Sequence, residues 1–419
     1  MAASLDTTCC IVGGGPAGLM LGYLLARAGV DVVVLEKHAD FLRDFRGDTI
    51  HPSTIDLLGE LGLKDAFLRL PHTEVTTLDV VIGGNRIRPV DFGTLPASGT
   101  RFLALMPQWD FLNFIAAEAA RFPNFRLITG ADVTGLLREG GRVRGVSARR
   151  DGEDVAVRAV LTVGADGRGS IVRRLAGLPV QHFGIDVDVL WFRLPRPADA
   201  PATLGYFDGS TLVLTIPREG YYQAGMVIRK GSYGAIQESG LAAFRERIAK
   251  TAQPVASVVD SLTSWGGIKL LTVQVDRLTR WHGPGVLCLG DAAHAMSPAF
   301  GVGVNFAIQD AVAAANRLAP LLASGRVTRR DLAAVQRRRL LPVRIIQPVQ
   351  LQLHRRIARE GAGLTIPNPL PPSVRFALRF VLPVARRVMA RVVGRGIRPE
   401  HVSAGLRSQF ESVGGLRHD

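Results

Sequence analysis

The 419-residue sequence predicts an α/β fold. A parallel-sheet nucleotide-binding lobe is interleaved with a mostly antiparallel-sheet lobe, and a helical extension follows. Three observations predict this. A glycine fingerprint, Gly13-x-Gly15-x-x-Gly18, lies between an apolar strand and a helical pattern. At 285–305 an apolar run ends in Asp291, and a glycine-broken loop then launches a helix. Between 181 and 275 the texture changes to short strand-like runs separated by turns.

At 47% hydrophobic the chain has material for a large core. No apolar run reaches the ~18 residues of a membrane span, and no basic segment precedes the fingerprint as a signal peptide would require. Cys9, Cys10 and Cys288 fall in core strands without ligand spacing. No metal site is therefore expected, and a reduced, cytoplasmic setting is. The net charge of +15 is uneven: residues 331–419 hold 16 arginines, no lysine and five acids, a net +11.

Taken in order, residues 9–18 form a strand and a tight turn, followed by a helical pattern to Ala28 and a stop at Gly29. The next strand, 32–35, ends in Glu36. In such a Rossmann-like unit the first glycine makes the turn and the second admits a pyrophosphate. The third packs helix on strand, and the acid holds a ribose hydroxyl. Arg46 follows in a polar stretch, at the dinucleotide, at the reaction centre or as a solvated loop residue, and a capped helix is expected at 53–61. Gly83-Gly84 marks a hairpin in 75–90. Residues 108–121 read as an amphipathic helix opened by Gln108.

At 163–173 a strand end is followed by Asp166-Gly167 and a helix start with Arg173, readable also as a capped turn. Strands are expected at 189–194, 211–216, 221–228 and 267–275, interrupted by a helix at 241–251. These runs gather Trp191, Tyr206 and Tyr222, which are core residues or the wall of a flat apolar pocket. Beyond Asp291, Gly301 and Gly303 allow close ligand approach, and a helix at 304–322 aims its N–H groups at an anionic ligand. No second GxGxxG after a strand occurs, so a second dinucleotide has no dedicated fold.

GGGPAG at 13–18 with Glu36, the Asp166-Gly167 motif, and Gly290-Asp291 followed by Pro298-x-x-Gly301-x-Gly303-x-Asn305 together resemble the FAD-dependent aromatic hydroxylase family. These are single-component flavoprotein monooxygenases of the para-hydroxybenzoate hydroxylase and ubiquinone-biosynthesis hydroxylase type. The resemblance covers roughly residues 8–325.

It implies FAD as cofactor and NADPH or NADH as transient co-substrate. O2 would add to the flavin as a C4a-hydroperoxide and pass to an aromatic (phenolic, quinone-like or polyketide) small molecule. It implies cofactor contacts from Gly13, Gly15, Pro16, Ala17, Gly18, Glu36, Lys37, Arg46, Gln108, Asp166, Asp291, Pro298, Gly301, Val302, Gly303, Val304 and Asn305. Asp166 and Arg173 are tied to NAD(P)H use. Trp191, Tyr206, Tyr222 and Phe300 would line the substrate pocket; Phe300 stands where many relatives carry a small residue.

No protein acid or base is assigned, because the cofactor carries the chemistry. His51 and His294 are read as packing or capping residues. The lobes divide as 1–74, 101–180 and 276–330 for FAD, 75–100 and 181–275 for substrate, and 331–419 for the basic extension. The alternatives are a flavin reductase or dehydrogenase acting on an unsaturated lipid or polyketide, distinguishable by anaerobic turnover, and a non-catalytic flavin-binding protein.

In the tail, arginines at 375, 379, 387, 391 and 395 share one helical face among apolar residues, with a kink expected at Pro383. Such helices pack on the flavin lobe, join a homodimer, or lie on an anionic membrane as a peripheral contact. Nucleic acid is not expected, since no recognition motif is present.

Overall fold

The computed structural model describes residues 3–42, 49–197, 205–358 and 372–415. Its first sheet runs in the order His282–Gly283, Val286–Cys288, Glu153–Gly164, Ala3–Val12, Val32–Glu36, Phe125–Thr129. Four successive pairs in this row are parallel, and only the His282–Gly283 edge runs against its neighbour. Arg142–Arg150 and Ala131–Glu139 extend it from Glu153–Gly164 as antiparallel strands. Every residue of Val32–Glu36 is buried, as a strand covered on both faces requires.

The register decides where function gathers. Val12 pairs with Gly164 and with Leu35, and Gly164 pairs with Cys288. Three segments more than a hundred residues apart therefore end side by side, and the loops that leave them share one edge. Cys9, Cys10 and Cys288 are buried and free. Burial pushes the Cys10 thiol up to about 12 and Cys288 well above its usual value, so both are inert core residues.

The second sheet has seven strands in the order Lys269–Leu271, Val187–Pro195, Tyr221–Arg229, Leu212–Pro217, Gly205–Phe207, Thr77–Ile82, Asn85–Asp91. The hairpin turns through Gly83 and Gly84, whose φ values of +53° and +80° suit a type I′ turn. It joins the sheet because Thr77–Ile82 pairs in parallel with Gly205–Phe207. The expected strand 267–275 is not continuous: Trp265–Gly267 is a 3-10 turn, and Val275–Leu278 leaves to pair with Val180–Phe183. Four glycines within 265–285, two of them in that turn, prevent a longer ladder. The expected helix at 53–61 runs Pro52–Glu60; Pro52 starts it, and no side chain caps it.

The tail forms helices Arg329–Ala358, Pro372–Gly394 and Ala404–Gly415, the second continuing through Pro383. Ala390 and Val393 are buried against Phe92 and Leu95, and Arg386 Nε donates to the Arg88 carbonyl at 2.9 Å. This side of the tail is packed against the protein. No helix among the described residues is long and apolar enough to cross a membrane.

Candidate active site

At the shared sheet edge, Gly13 has φ +106°, and a Cβ there would come 2.4 Å from the Ala165 carbonyl oxygen. Only glycine lets the first motif lie against the second. A Cβ on Gly18 would sit 1.9 Å from the Gly13 oxygen, whereas one on Gly15 would meet nothing within 4 Å. Gly15 thus faces open space beside the start of helix Pro16–Arg27. That helix has no side-chain cap and no acid in its first turn, so its leading N–H groups remain for an anion. Glu36 accepts from the Gly14 N–H at 2.9 Å and the His38 N–H at 3.1 Å, which fixes its carboxylate against the glycine loop. Lys37 is exposed next to it, and Gln108 is half-buried as the first residue of helix Gln108–Ala120. Arg46 lies outside the described residues.

Asp291 follows Val286–Cys288 at the same edge. Its Oδ2 accepts from Arg168 Nε at 3.0 Å, and both side chains keep partial solvent access. What marks Arg168 in the sequence is only its place after Asp166-Gly167.

Asp166 itself accepts from Ser170 Oγ at 2.5 Å and the Val172 N–H at 3.1 Å, which closes the turn into helix Ile171–Leu175. Burial pushes its carboxyl above the ordinary range, and these hydrogen bonds offset that only in part. The expectation for Arg173 needs correction. Its guanidinium is buried and holds Asp276 through two bonds of 3.0 and 3.1 Å, so it clamps the helix to Val275–Leu278 and is not presented to a dinucleotide.

The loop beyond Asp291 is tightly specified. Phe300 has φ +65°, a left-handed conformation uncommon for a bulky residue and found mostly where function holds strain. Gly301 follows at φ +62°, and a Cβ there would lie 2.3 Å from Thr49 Oγ1, which donates to the Gly301 carbonyl at 2.9 Å. Helix Gly303–Ala323 then begins uncapped, with no acid in its first turn. Pro298 is partly exposed before the loop, while Val302 and Val304 are buried. Asn305 pins the neighbouring segment: Oδ1 accepts from the His51 N–H at 3.0 Å and Thr54 Oγ1 at 2.7 Å. Gly301→Ala should therefore lower stability by about 1–2 kcal/mol for the left-handed backbone alone, and reduce FAD retained through gel filtration. Unchanged melting and flavin content would show that the loop tolerates a side chain.

Residues that sequence reasoning missed brace this loop from beneath. Gln350 accepts from the Ser297 N–H at 3.2 Å and donates to the Ala299 carbonyl at 3.0 Å. Gln347 donates to the Ala295 carbonyl at 3.1 Å, and His354 meets Ser297 Oγ. All three sit on helix Arg329–Ala358. His294 is bonded to Asp310 at 2.6 Å, and Asp310 also accepts from the Gly290 N–H at 3.1 Å and Arg339 Nε at 2.9 Å. Asp310 thereby ties the strand-end loop to the tail. His51 is fully buried, donates from Nδ1 to the Val393 carbonyl at 2.6 Å, and has its pKa lowered to about 4 by burial. Each ring is buried with one nitrogen bonded inside the core.

On the sheet lobe, alternation separates the aromatic candidates. Trp191 lies with Val187 and Val189 on a face shared with Leu214 and Ile216. Ile216 also packs in the cluster that Phe300 joins, so this face looks toward the loop. Tyr206 and Tyr222 belong to the opposite face, under Phe244 and Ile248 of helix Leu241–Thr251. They are core residues of the outer layer, not pocket walls, because each is one strand position out of phase with Trp191.

The model of a family described as FAD binding domain matches residues 6–347. The chain belongs to this FAD-binding family. FAD is its cofactor, in agreement with the resemblance carried by the three motifs. Among curated relatives, the 6-methylpretetramide 4-monooxygenase of Streptomyces rimosus is 36% identical over 329 residues, which cover 78% of this chain and 77% of that protein. The uncharacterized aromatic compound monooxygenase YhjG of Bacillus subtilis (strain 168) is 26% identical over 311 residues, covering 72% of this chain and 59% of that one. The fold of the family is seen in PqsL, a probable FAD-dependent monooxygenase from Pseudomonas aeruginosa. Its TM-score is 0.72 at 23% identity, with 85% of this chain and 98% of that chain covered.

Proposed function

We propose that this FAD-binding chain is a monooxygenase that uses NAD(P)H and O2 to hydroxylate a phenolic, polyketide-like aromatic molecule. The observation that carries the reading is the convergence of two uncapped helix N-termini, at Gly15 and at Val302, on the edge where Asp291 also stands. Such an edge suits a ligand with a diphosphate at one end and an electron-rich ring at the other. The 36% identity to a 6-methylpretetramide 4-monooxygenase supports the reaction class.

Gly13, Gly15, Pro16, Ala17, Gly18, Glu36 and Lys37 would hold the ADP half of FAD, and Gln108 would flank its middle. Asp291, oriented by Arg168, would meet the ribityl hydroxyls. The loop Pro298 to Asn305 would turn its N–H groups toward the flavin N1–C2=O edge, where a helix N-terminus favours negative charge. Bound FAD supplies the redox chemistry, taking hydride from NAD(P)H and activating O2. The protein orients the ring to be hydroxylated over an apolar sheet face that keeps water out. On this reading 1–74, 101–180 and 276–330 build the FAD lobe, and 75–100 with 181–275 the substrate lobe.

The test is a panel of phenols and aromatic polyketides, with NAD(P)H oxidation followed against peroxide release. A true substrate accelerates oxidation and takes up isotope-labelled oxygen from O2. Turnover that continues anaerobically would replace this reading with the dehydrogenase alternative.

The outer side of the tail supports a peripheral contact. Val381, Val384 and Val388 are more than half exposed and stand beside exposed Arg387 and Arg391. A basic helix with such a stripe suits an anionic lipid surface. The protein should sediment with phosphatidylserine vesicles at low salt and leave them at high salt. Dimerisation without vesicle binding would assign the stripe to a second copy instead.

A further inference from the structure

We propose that Trp191 Nε1 and Gln223 Nε2 are the specificity-determining donors of the pocket, and that they read oxygen acceptors on a fused-ring aromatic substrate. The proposal deepens the functional reading above and rests on it. Both residues are more than nine-tenths buried, at 7% and 6% exposure, and among the described residues neither of these nitrogens has a hydrogen-bond partner. A buried N–H without an acceptor is costly to leave unmade, so native structures rarely keep one without a ligand or water to receive it.

Their placement is the second observation. Trp191 pairs with Gly225 and Arg193 with Gln223 across the same antiparallel ladder, so the two side chains are diagonal neighbours on one face. That geometry sets them roughly 7–8 Å apart at the backbone, a spacing that one fused-ring molecule spans. Gly225 keeps the indole flat, since a Cβ there would come 2.9 Å from Trp191 Cζ3. Gln223 is also cross-strand from Ile216, which packs in the cluster that Phe300 joins. The donors therefore share the face that looks toward the loop proposed to hold the flavin.

Two cross-strand neighbours of the pair are exposed. Arg193, opposite Gln223, and Lys269, opposite Trp191, line a cleft of ≈ 350 Å³ with Ser261, Thr263 and Ser264 and no acid. A polyoxygenated ring system would then run from the loop past two neutral donors. An unoxygenated hydrocarbon of the same shape would leave both donors unpaired and would be rejected.

The test uses the FAD-loaded full chain with two flat tricyclic probes, alizarin, which carries ketone and phenol oxygens, and anthracene, which carries none. Dissociation constants are read from perturbation of the flavin absorbance. Alizarin should bind at least about 10-fold more tightly than anthracene. Gln223→Leu and Trp191→Phe should each weaken alizarin by about 5- to 100-fold and leave anthracene unchanged, with melting temperature and flavin content retained. If one variant fails to fold, the other and the wild-type ratio still decide. Equal affinity for the probes, binding of neither, or variants that keep the wild-type ratio would overturn the proposal, the donors then holding only water. Because binding is read without turnover, absence of NAD(P)H-driven oxygenation would sink the functional reading and leave this result standing.

Discussion

Replacing Asp310 with alanine should cost about 3–5 kcal/mol of folding stability and strip FAD from the protein. The Asp310 carboxylate is fully buried among His294, Arg339 and the Gly290 N–H. Burial alone would push its carboxyl up, but His294 and Arg339 together hold it below the ordinary range. Removing it leaves the 2%-exposed Arg339 with Glu400 as its one acidic partner among the described residues, at 3.4 Å, beside the Arg398 carbonyl, and that acid is already held by Arg338 at 2.6 Å. An uncompensated guanidinium in that position is the expensive outcome, more than the loss of any single bond. Asp310→Asn keeps the shape and one acceptor and should fall between. Urea unfolding with flavin content followed in parallel measures both. A loss under about 1 kcal/mol would mean that water reaches Arg339 and that the tail is not latched through it.

Acidification should destabilise the protein well before its carboxylates titrate. His51 and His354 are buried, and burial lowers each pKa to about 4 from 6.5. The unfolded chain takes up those two protons as pH falls through 6.5, whereas the folded chain does not until about 4. Stability therefore holds above about 6.5 and declines as pH drops toward 4, by up to roughly 3 kcal/mol per histidine at 1.36 kcal/mol per unit. Below that window the depressed carboxyls of Asp310 and Asp79 continue the loss in the same direction, since they stabilise only while ionised. His354→Gln should flatten the decline between pH 6.5 and 4. FAD release should track it as well, because His354 holds Ser297 in the loop proposed to hold the flavin. Thermal melts across this range read the effect directly, and a flat profile in the wild type would refute the neutral buried state of both rings.

Much of this was legible because a parallel sheet writes itself locally. The residues 9–18 and 286–305 show strand, turn and helix start within a short span, and their glycines mark backbone approaches that a side chain would block. The hairpin at Gly83-Gly84 is equally local. The tyrosines were not legible in this way. Tyr206 and Tyr222 have the composition of a pocket wall, yet which face of a strand a residue takes depends on the phase of the ladder. Arg173 sits in a functional-looking motif, and its partner Asp276 lies 103 residues away.

The sequence by itself determined the nucleotide-binding lobe, its three motifs and the family they belong to, because each motif is a short-range constraint on backbone shape. Tertiary structure alone decided what surrounds them. It placed Arg168 on Asp291, Gln350 and His354 under the loop that follows Ser297, and Arg339 on Asp310. It also turned Trp191 and Gln223 to one face and Tyr222 to the other. These are contacts between residues up to 123 positions apart, and no local pattern encodes which distant partner a buried polar group will find.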